Sequence, residues 1–181
     1  MIAVEGDVRD EASIDQLFTR TESAFGVCDL LVNNAGKVDP GLLAQTTTEA
    51  WDDMFAVNMR SAFLATRRAI PGLMTKSGGT IVNVASISGV VGPSKSPGFA
   101  SYAASKAAMI AFTETMAIEL REHGVRVNCV SPGSVDTAML RQANPAWTPD
   151  MTPAEVAETI LFLSSRRSSP INGQNIHVYS A

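Results

Sequence analysis

The sequence predicts an α/β domain over residues 1–181, built on an open, doubly wound parallel sheet with helices on both faces. Three observations carry this. Short apolar runs alternate with stretches of helical periodicity along the whole chain, and no segment repeats. The runs around Leu30-Leu31-Val32, Ile81-Val82 and Val127 to Val130 lack the strict alternation of a half-exposed strand, as expected for strands covered on both faces. Each run ends in small or polar residues, where ligands bind in such sheets.

The elements are taken in chain order. Ile2-Ala3-Val4-Glu5-Gly6-Asp7-Val8 is a short apolar run ending in turn residues and reads as a first strand. Asp10 is placed to cap a helix carrying Ile14, Leu17, Phe18 and Phe25, and Gly26 stops it. Asp29-Leu30-Leu31-Val32-Asn33 is the next strand, with Asn33-Asn34-Ala35-Gly36 at its C-terminal end. Residues 37–46 form a loop around Pro40 and Gly41. Thr46-x-x-Glu49 has the form of a capping box, with Thr47 as the alternative cap. A long helix runs on toward Lys76, where Pro71 should bend or break the last turns. Gly78-Gly79 turns the chain into a strand over 80–86, and a loop rich in Gly, Pro and Ser, residues 87–100, leads to a helix from Ser101 that stops at Gly124. Val125 to Val130 is a strand ending in Ser131-Pro132-Gly133. Beyond a polar loop, Thr152-Pro153-Ala154-Glu155 combines a cap, an N1 proline and an N3 glutamate, so a helix extends to about Ser164. Residues 174–178 are the last strand.

Composition excludes several functions. The net charge is −4, and no basic stripe offers a nucleic-acid footprint. No apolar run approaches the ~20 residues that span a bilayer. Met1-Ile2-Ala3-Val4 has no charged leader, and Cys28 and Cys129 show no CxxC pattern, so a cytoplasmic protein with reduced thiols is expected. His123 and His177 stand alone, which gives no metal-ligand set.

The chemistry points to Ser101-Tyr102-Ala103-Ala104-Ser105-Lys106, at the start of a helix. Residues four apart share a helix face. A tyrosine of ordinary pKa, about 10, exchanges protons poorly at neutral pH. A neighbouring ammonium favours the phenolate and brings that pKa down, which makes the pair an acid/base device. A half-buried tyrosine beside a solvated lysine is the alternative reading.

With its companions, that pair resembles the short-chain dehydrogenase/reductase family, most closely the members similar to 3-oxoacyl-carrier-protein reductases. The features occur in order over essentially the whole chain: Asp7-Val8, Asn33-Asn34-Ala35-Gly36, Asn58, Ser86, Tyr102-x-x-x-Lys106 and Pro132-Gly133-x-Val135-x-Thr137. The resemblance implies a Rossmann-like fold and an NAD- or NADP-dependent oxidoreductase that interconverts a carbonyl and a secondary alcohol of a small molecule. It implies Tyr102 as general acid/base, Lys106 lowering its pKa and binding the nicotinamide ribose, Ser86 (rather than nearby Ser88) orienting the substrate oxygen, and Asn58 holding a water that links Lys106 to solvent. It places Asp7 and Val8 by the adenine, and Asn34, Ala35 and Gly36 along the cofactor's middle. Pro132, Gly133, Val135 and Thr137 would line the nicotinamide side. It also implies a homodimer or homotetramer paired through helices 48–75 and 101–123.

The sequence departs from the family in four places. No glycine-rich phosphate loop precedes Asp7, so the resemblance implies an N-terminally truncated sheet lacking the family's first two strands and that cofactor-binding unit. Leu30-Leu31-Val32 would then be an open apolar edge, and NAD cannot be told from NADP. Ser86 and Tyr102 are sixteen positions apart, wider than usual in the family, with Pro93-Ser94-Lys95-Ser96-Pro97 as the insertion. The segment from Thr137 to Thr152 is short, and Val178-Tyr179-Ser180-Ala181 stands where the family has an acidic residue and glycines. These departures leave a second expectation, a catalytically silent remnant acting as an oligomer partner. An epimerase of the extended relatives is disfavoured by length and by Asn33-Asn34-Ala35-Gly36.

Overall fold

The computed structural model describes residues 1–76, 78–92 and 95–179. Four strands make one parallel sheet in the order β1-β2-β3-β4: β1 Leu30–Asn33, β2 Gly79–Val84, β3 Val125–Pro132 and β4 Asn175–Val178. The register pairs Leu31 with Ile81, Asn83 with Cys129, and Val130 with Ile176.

Successive strand residues point to opposite faces, and each face has its own core. On one face, Ile81 and Val127 pack with Ile14 and Phe18 of α1 (Glu11–Phe25), Leu64 and Leu73 of α3 (Ser61–Thr75), and Ala117 of α4 (Ala100–Glu119). On the other, Val82 and Val130 meet Val156 and Leu163 of α6 (Pro153–Ser164). The chain steps across the sheet in one direction throughout. Crossovers over opposite faces therefore have opposite hands, and β3–α6–β4 departs from the hand shared by its two predecessors, against the usual uniformity. Arg126 on β3 helps hold this crossover: its guanidinium donates to the carbonyls of Leu163 and Ser165 at the end of α6, to that of Ile171, and to the Thr80 hydroxyl. Cations at a helix C-terminus are favoured by its exposed carbonyls.

Most helix signals hold. Asp10 accepts from the Ser13 N–H, and Thr152 with Glu155 forms the reciprocal capping box. Gly26 and Gly124 close their helical segments at φ 81° and 71°. Thr47, not Thr46, caps α2 (Thr48–Phe55), accepting from the Ala50 N–H. The helix expected over 48–75 is not uniform, because a π-turn at Ala56–Arg60 separates α2 from α3. Pro71 does not break α3, which runs on to Thr75. The loop after β3 holds a short helix, α5 (Ala138–Ala143), capped by Thr137.

One expectation is corrected. Residues 2–8 form no strand. A strand is defined by ladder bonds to a neighbour, and no strand lies between this segment and β1. The edge at β1 is open, as expected: Leu30 is 39 % exposed, and Val8, Leu17, Phe18, Leu31 and Val32 line an apolar groove between α1 and that edge. Pro93 and Ser94 of the insertion, and Ser180 and Ala181 of the C-terminal departure, lie outside the described residues.

Candidate active site

Three of the four expected catalytic side chains meet at the C-terminal rim of the sheet, and the fourth braces them. Ser86 lies two residues beyond β2, in extended backbone. Its Oγ accepts from the Ser88 N–H at 3.2 Å, which leaves the Ser86 hydroxyl proton free to donate. Ser88, the alternative serine, thus meets Ser86 through its backbone N–H.

Tyr102 and Lys106 occupy one face of α4, four residues apart. Lys106 is 4 % exposed, and its ammonium donates to the Val84 carbonyl at 2.8 Å. The Nζ lies 5.9 Å from the centre of the Tyr102 ring. Burial lowers the Lys106 pKa from 10.5 to about 8, because removing an ammonium from water disfavours its charge. Burial also raises the Tyr102 pKa, and the Ser86 hydroxyl, which can donate toward the phenolate, acts in the opposite direction. The resemblance implies that Lys106 lowers Tyr102; in this structure burial outweighs any such effect and the net direction is upward.

Asn58 is fully buried in the π-turn. Such turns insert one residue into a helix and recur at functional sites. Its Oδ1 accepts from the Lys37 N–H at 2.7 Å, and its Nδ2 donates to the Lys37 carbonyl and to Ser105 Oγ, both at 3.0 Å. Asn58 thus ties the loop after β1 to α4. The loop residue so held is adjacent to Gly36, where a side-chain carbon would lie 3.4 Å from both Lys106 Nζ and Asn58 Oδ1.

The expected cofactor residues fall in three groups. Val8, Asn34 and Ala35 line the groove beside β1. Gly36 sits against Lys106. Pro132, Gly133, Val135 and Thr137 succeed one another at the end of β3, where the Gly133 N–H donates to the Val178 carbonyl at 2.8 Å. Asp7 stands apart from these: Arg9 donates to its carboxylate from backbone and guanidinium, holds its pKa well below the carboxylate range, and also pairs with Asp53, which in turn pairs with Lys37. The Arg9–Asp7 pair is exposed and the Lys37–Asp53 pair half-buried, so water screens both and they contribute little stability.

Sequence reasoning missed four residues. Gly89 packs on α4 at Lys106; a glycine three after the serine was its only signal. Lys95 donates to the carbonyls of Ser88 and Val90. Phe99 stands edge-on to Tyr102, with ring centres 6.2 Å apart, and Trp147 stacks on Phe99 at 5.3 Å. The last three sit in loops, where periodicity carries no information. Among the described residues, no cluster of His, Cys, Asp and Glu could hold a metal ion, and no helix is long and apolar enough to cross a membrane.

The chain is similar to known proteins over nearly its whole length. A family model described as enoyl-(acyl carrier protein) reductase matches residues 1–180. The 3-oxoacyl-[acyl-carrier-protein] reductase FabG of Thermotoga maritima is 36% identical over 183 residues, covering 95% of this chain and 73% of that protein. A short-chain dehydrogenase/reductase, described as putative, from Burkholderia xenovorans superposes with a TM-score of 0.84 at 33% identity, covering 96% of this chain and 70% of the other. A gluconate 5-dehydrogenase from Burkholderia cenocepacia, solved with NADP and tartrate, superposes with a TM-score of 0.87 at 26% identity, covering 96% and 72%.

The burial of Lys106 has a consequence for stability. Its folded-state pKa is depressed, so between about pH 8 and 10.5 the unfolded chain binds more protons, and stability from this group rises as pH climbs through that window. Urea denaturation of the parent and of Lys106→Met should show the parent gaining on the variant by on the order of 2 kcal/mol between pH 8 and 10. A pH-independent difference contradicts a buried ammonium with a depressed pKa.

Proposed function

The chain belongs to the short-chain dehydrogenase/reductase family of NAD(P)-dependent oxidoreductases; from that premise we propose that it interconverts a carbonyl and a secondary alcohol, with Tyr102 as acid/base. The observation that carries the reading is the convergence of the Ser86 hydroxyl and the buried Lys106 ammonium on Tyr102.

The residues present suit a nicotinamide dinucleotide. Glycine at 36 leaves open the space that a side chain would fill beside the ammonium, and an ammonium next to a buried amide suits the hydroxyls of a ribose. Lys106 and Gly36 would hold that sugar, with Asn34 and Ala35 along the cofactor's middle and Asp7 and Val8 toward the adenine. Pro132, Gly133, Val135 and Thr137 would border the nicotinamide. When bound, the nicotinamide supplies or takes the hydride.

The chain's own residues handle the proton. In the reducing direction Ser86 donates a hydrogen bond to the substrate oxygen and fixes its position. Tyr102 delivers its proton to that oxygen as negative charge develops there. The phenolate left behind would face the Lys106 ammonium, whose Nζ lies 5.9 Å from the ring centre and whose charge favours that anion. Asn58 serves the relay by holding Gly36 and α4 together, and by placing a water between Lys106 and solvent. Phe99 and Trp147 wall the approach to Tyr102, which suits a substrate with an apolar part beside its carbonyl.

A second reading rests on the open edge of β1 and the irregular segment 2–8: the chain survives as a silent oligomer partner. In either reading the outer faces of α3 and α4, where Phe63 and Ile118 are exposed, pair two copies.

Titration of the purified chain with NADH and NADPH, monitored by fluorescence, separates the readings: saturable binding supports the enzyme, and absence of binding to either supports the silent partner. With a carbonyl substrate, Tyr102→Phe should lower kcat by roughly 100- to 10,000-fold, the scale of a positioned acid; undiminished turnover excludes the mechanism. Light scattering should give a dimer or tetramer, and a clean monomer refutes the pairing.

A further inference from the structure

The turn after β2 is gripped from two sides. On its inner side Gly89 meets the backbone of α4: a side-chain carbon at position 89 would lie 2.6 Å from the Lys106 carbonyl carbon, 2.7 Å from the Ala107 nitrogen and 2.9 Å from Lys106 Cβ. These are helix backbone atoms and the root of a buried side chain, so they cannot swing aside. On its outer side the Lys95 ammonium donates to the carbonyls of Ser88 and Val90, the residues flanking Gly89. Lys95 is exposed and has no carboxylate partner among the ion pairs of the described residues. Ser86 belongs to the same turn through two bonds, from the Gly89 N–H to its carbonyl at 2.9 Å and from the Ser88 N–H to its Oγ at 3.2 Å.

Any movement of this turn relative to α4 is therefore a movement of the Ser86 hydroxyl relative to Tyr102 and Lys106. We propose that Gly89 and Lys95 are positioning residues, which together set the gap between Ser86 and the Tyr102–Lys106 face of α4. Gly89 fixes how closely the turn seats, and Lys95 keeps it seated. Lys95, from the stretch that widens the spacing between Ser86 and Tyr102, thereby brings a cation to the turn that carries Ser86. The proposal rests on the functional reading above, since the gap matters only if Ser86 and Tyr102 share a substrate oxygen.

The variants that test it are Lys95→Met, Lys95→Arg and Gly89→Ala, read by steady-state kinetics and by the titration of Lys106 in protein carrying 13Cε-lysine. The sequence has four lysines, and Lys106→Met identifies the signal. Lys95→Met removes an exposed side chain and should fold. It should lower kcat several-fold at unchanged KM and move the Lys106 titration upward from about 8, as a loosened turn admits water. Lys95→Arg, which can still donate to both carbonyls, should restore both. Gly89→Ala, if folded, should go further, with kcat falling on the order of 100-fold, as misplacement by about an ångström does. Parental kcat in Lys95→Met, or a kcat that Lys95→Arg fails to restore, overturns the proposal even if Gly89→Ala does not fold. If the parent shows no turnover with nicotinamide and a carbonyl, the functional reading has failed. The Lys106 titration then decides alone: an upward shift in Lys95→Met supports the clamp, and an unmoved one overturns it.

Discussion

The Lys106 ammonium is held, among the described residues, by the carbonyl of Val84 at the end of β2, in surroundings that leave the residue 4 % exposed. An ammonium so placed is unstable relative to water unless its neighbours fix it, and its pKa falls accordingly. Much of the site serves to keep that charge in place. The bond to Val84 joins the strand that delivers Ser86 to the helix that carries Tyr102. The packing of Gly89 on the Lys106 backbone seals one side. The Asn58 clamp on residue 37 brings the backbone at Gly36 up to the other. Loss of the lysine would thus remove a charge and also the bond that ties the end of β2 to α4.

The sheet sets the limits within which this works. Its three rim segments come from β1, β2 and β3, and their register is fixed by valines and isoleucines that reach into two separate cores. Buried amides add direction to that packing. Asn33 donates to Asn83, and Asn83 donates to Thr113 on α4, so the polar row crosses from β1 through β2 to the helix of the site. Satisfied polar groups in a core specify one arrangement, because any slip leaves them unpaired. The same sheet explains the weak flank: β1 offers an apolar edge, with Leu30 exposed and Val8 across a groove.

Much of this was legible in the sequence. All four strands could be located, three of them because a strand covered on both faces is largely apolar, and capping chemistry placed the starts of α1 and α6. Tyr102 and Lys106 could be paired because helix geometry alone puts them on one face. The segment 2–8 was misread as a strand, since apolar character cannot supply a hydrogen-bonding neighbour. The π-turn at Asn58 was invisible for a different reason: it depends on what the inserted residue reaches, namely the backbone of residue 37 and Ser105, which lie far away in sequence. Lys95, Phe99 and Trp147 belong to loops whose roles depend on where the loop returns, and a spacing that looked like mere insertion turned out to deliver a cation to the turn holding Ser86. The direction of the Tyr102 shift also required the structure, because burial and a neighbouring charge act on a phenol in opposite senses and only geometry ranks them.

The central claim is that a buried ammonium with a depressed pKa governs proton delivery at Tyr102. Its most direct test is the pH dependence of kcat/KM for carbonyl reduction, which reports groups of the free enzyme. The account predicts that the parent loses activity as pH rises through about 8, as Lys106 gives up its charge, and that Lys106→Met lacks this inflection. An inflection near 8 that persists in Lys106→Met would contradict it.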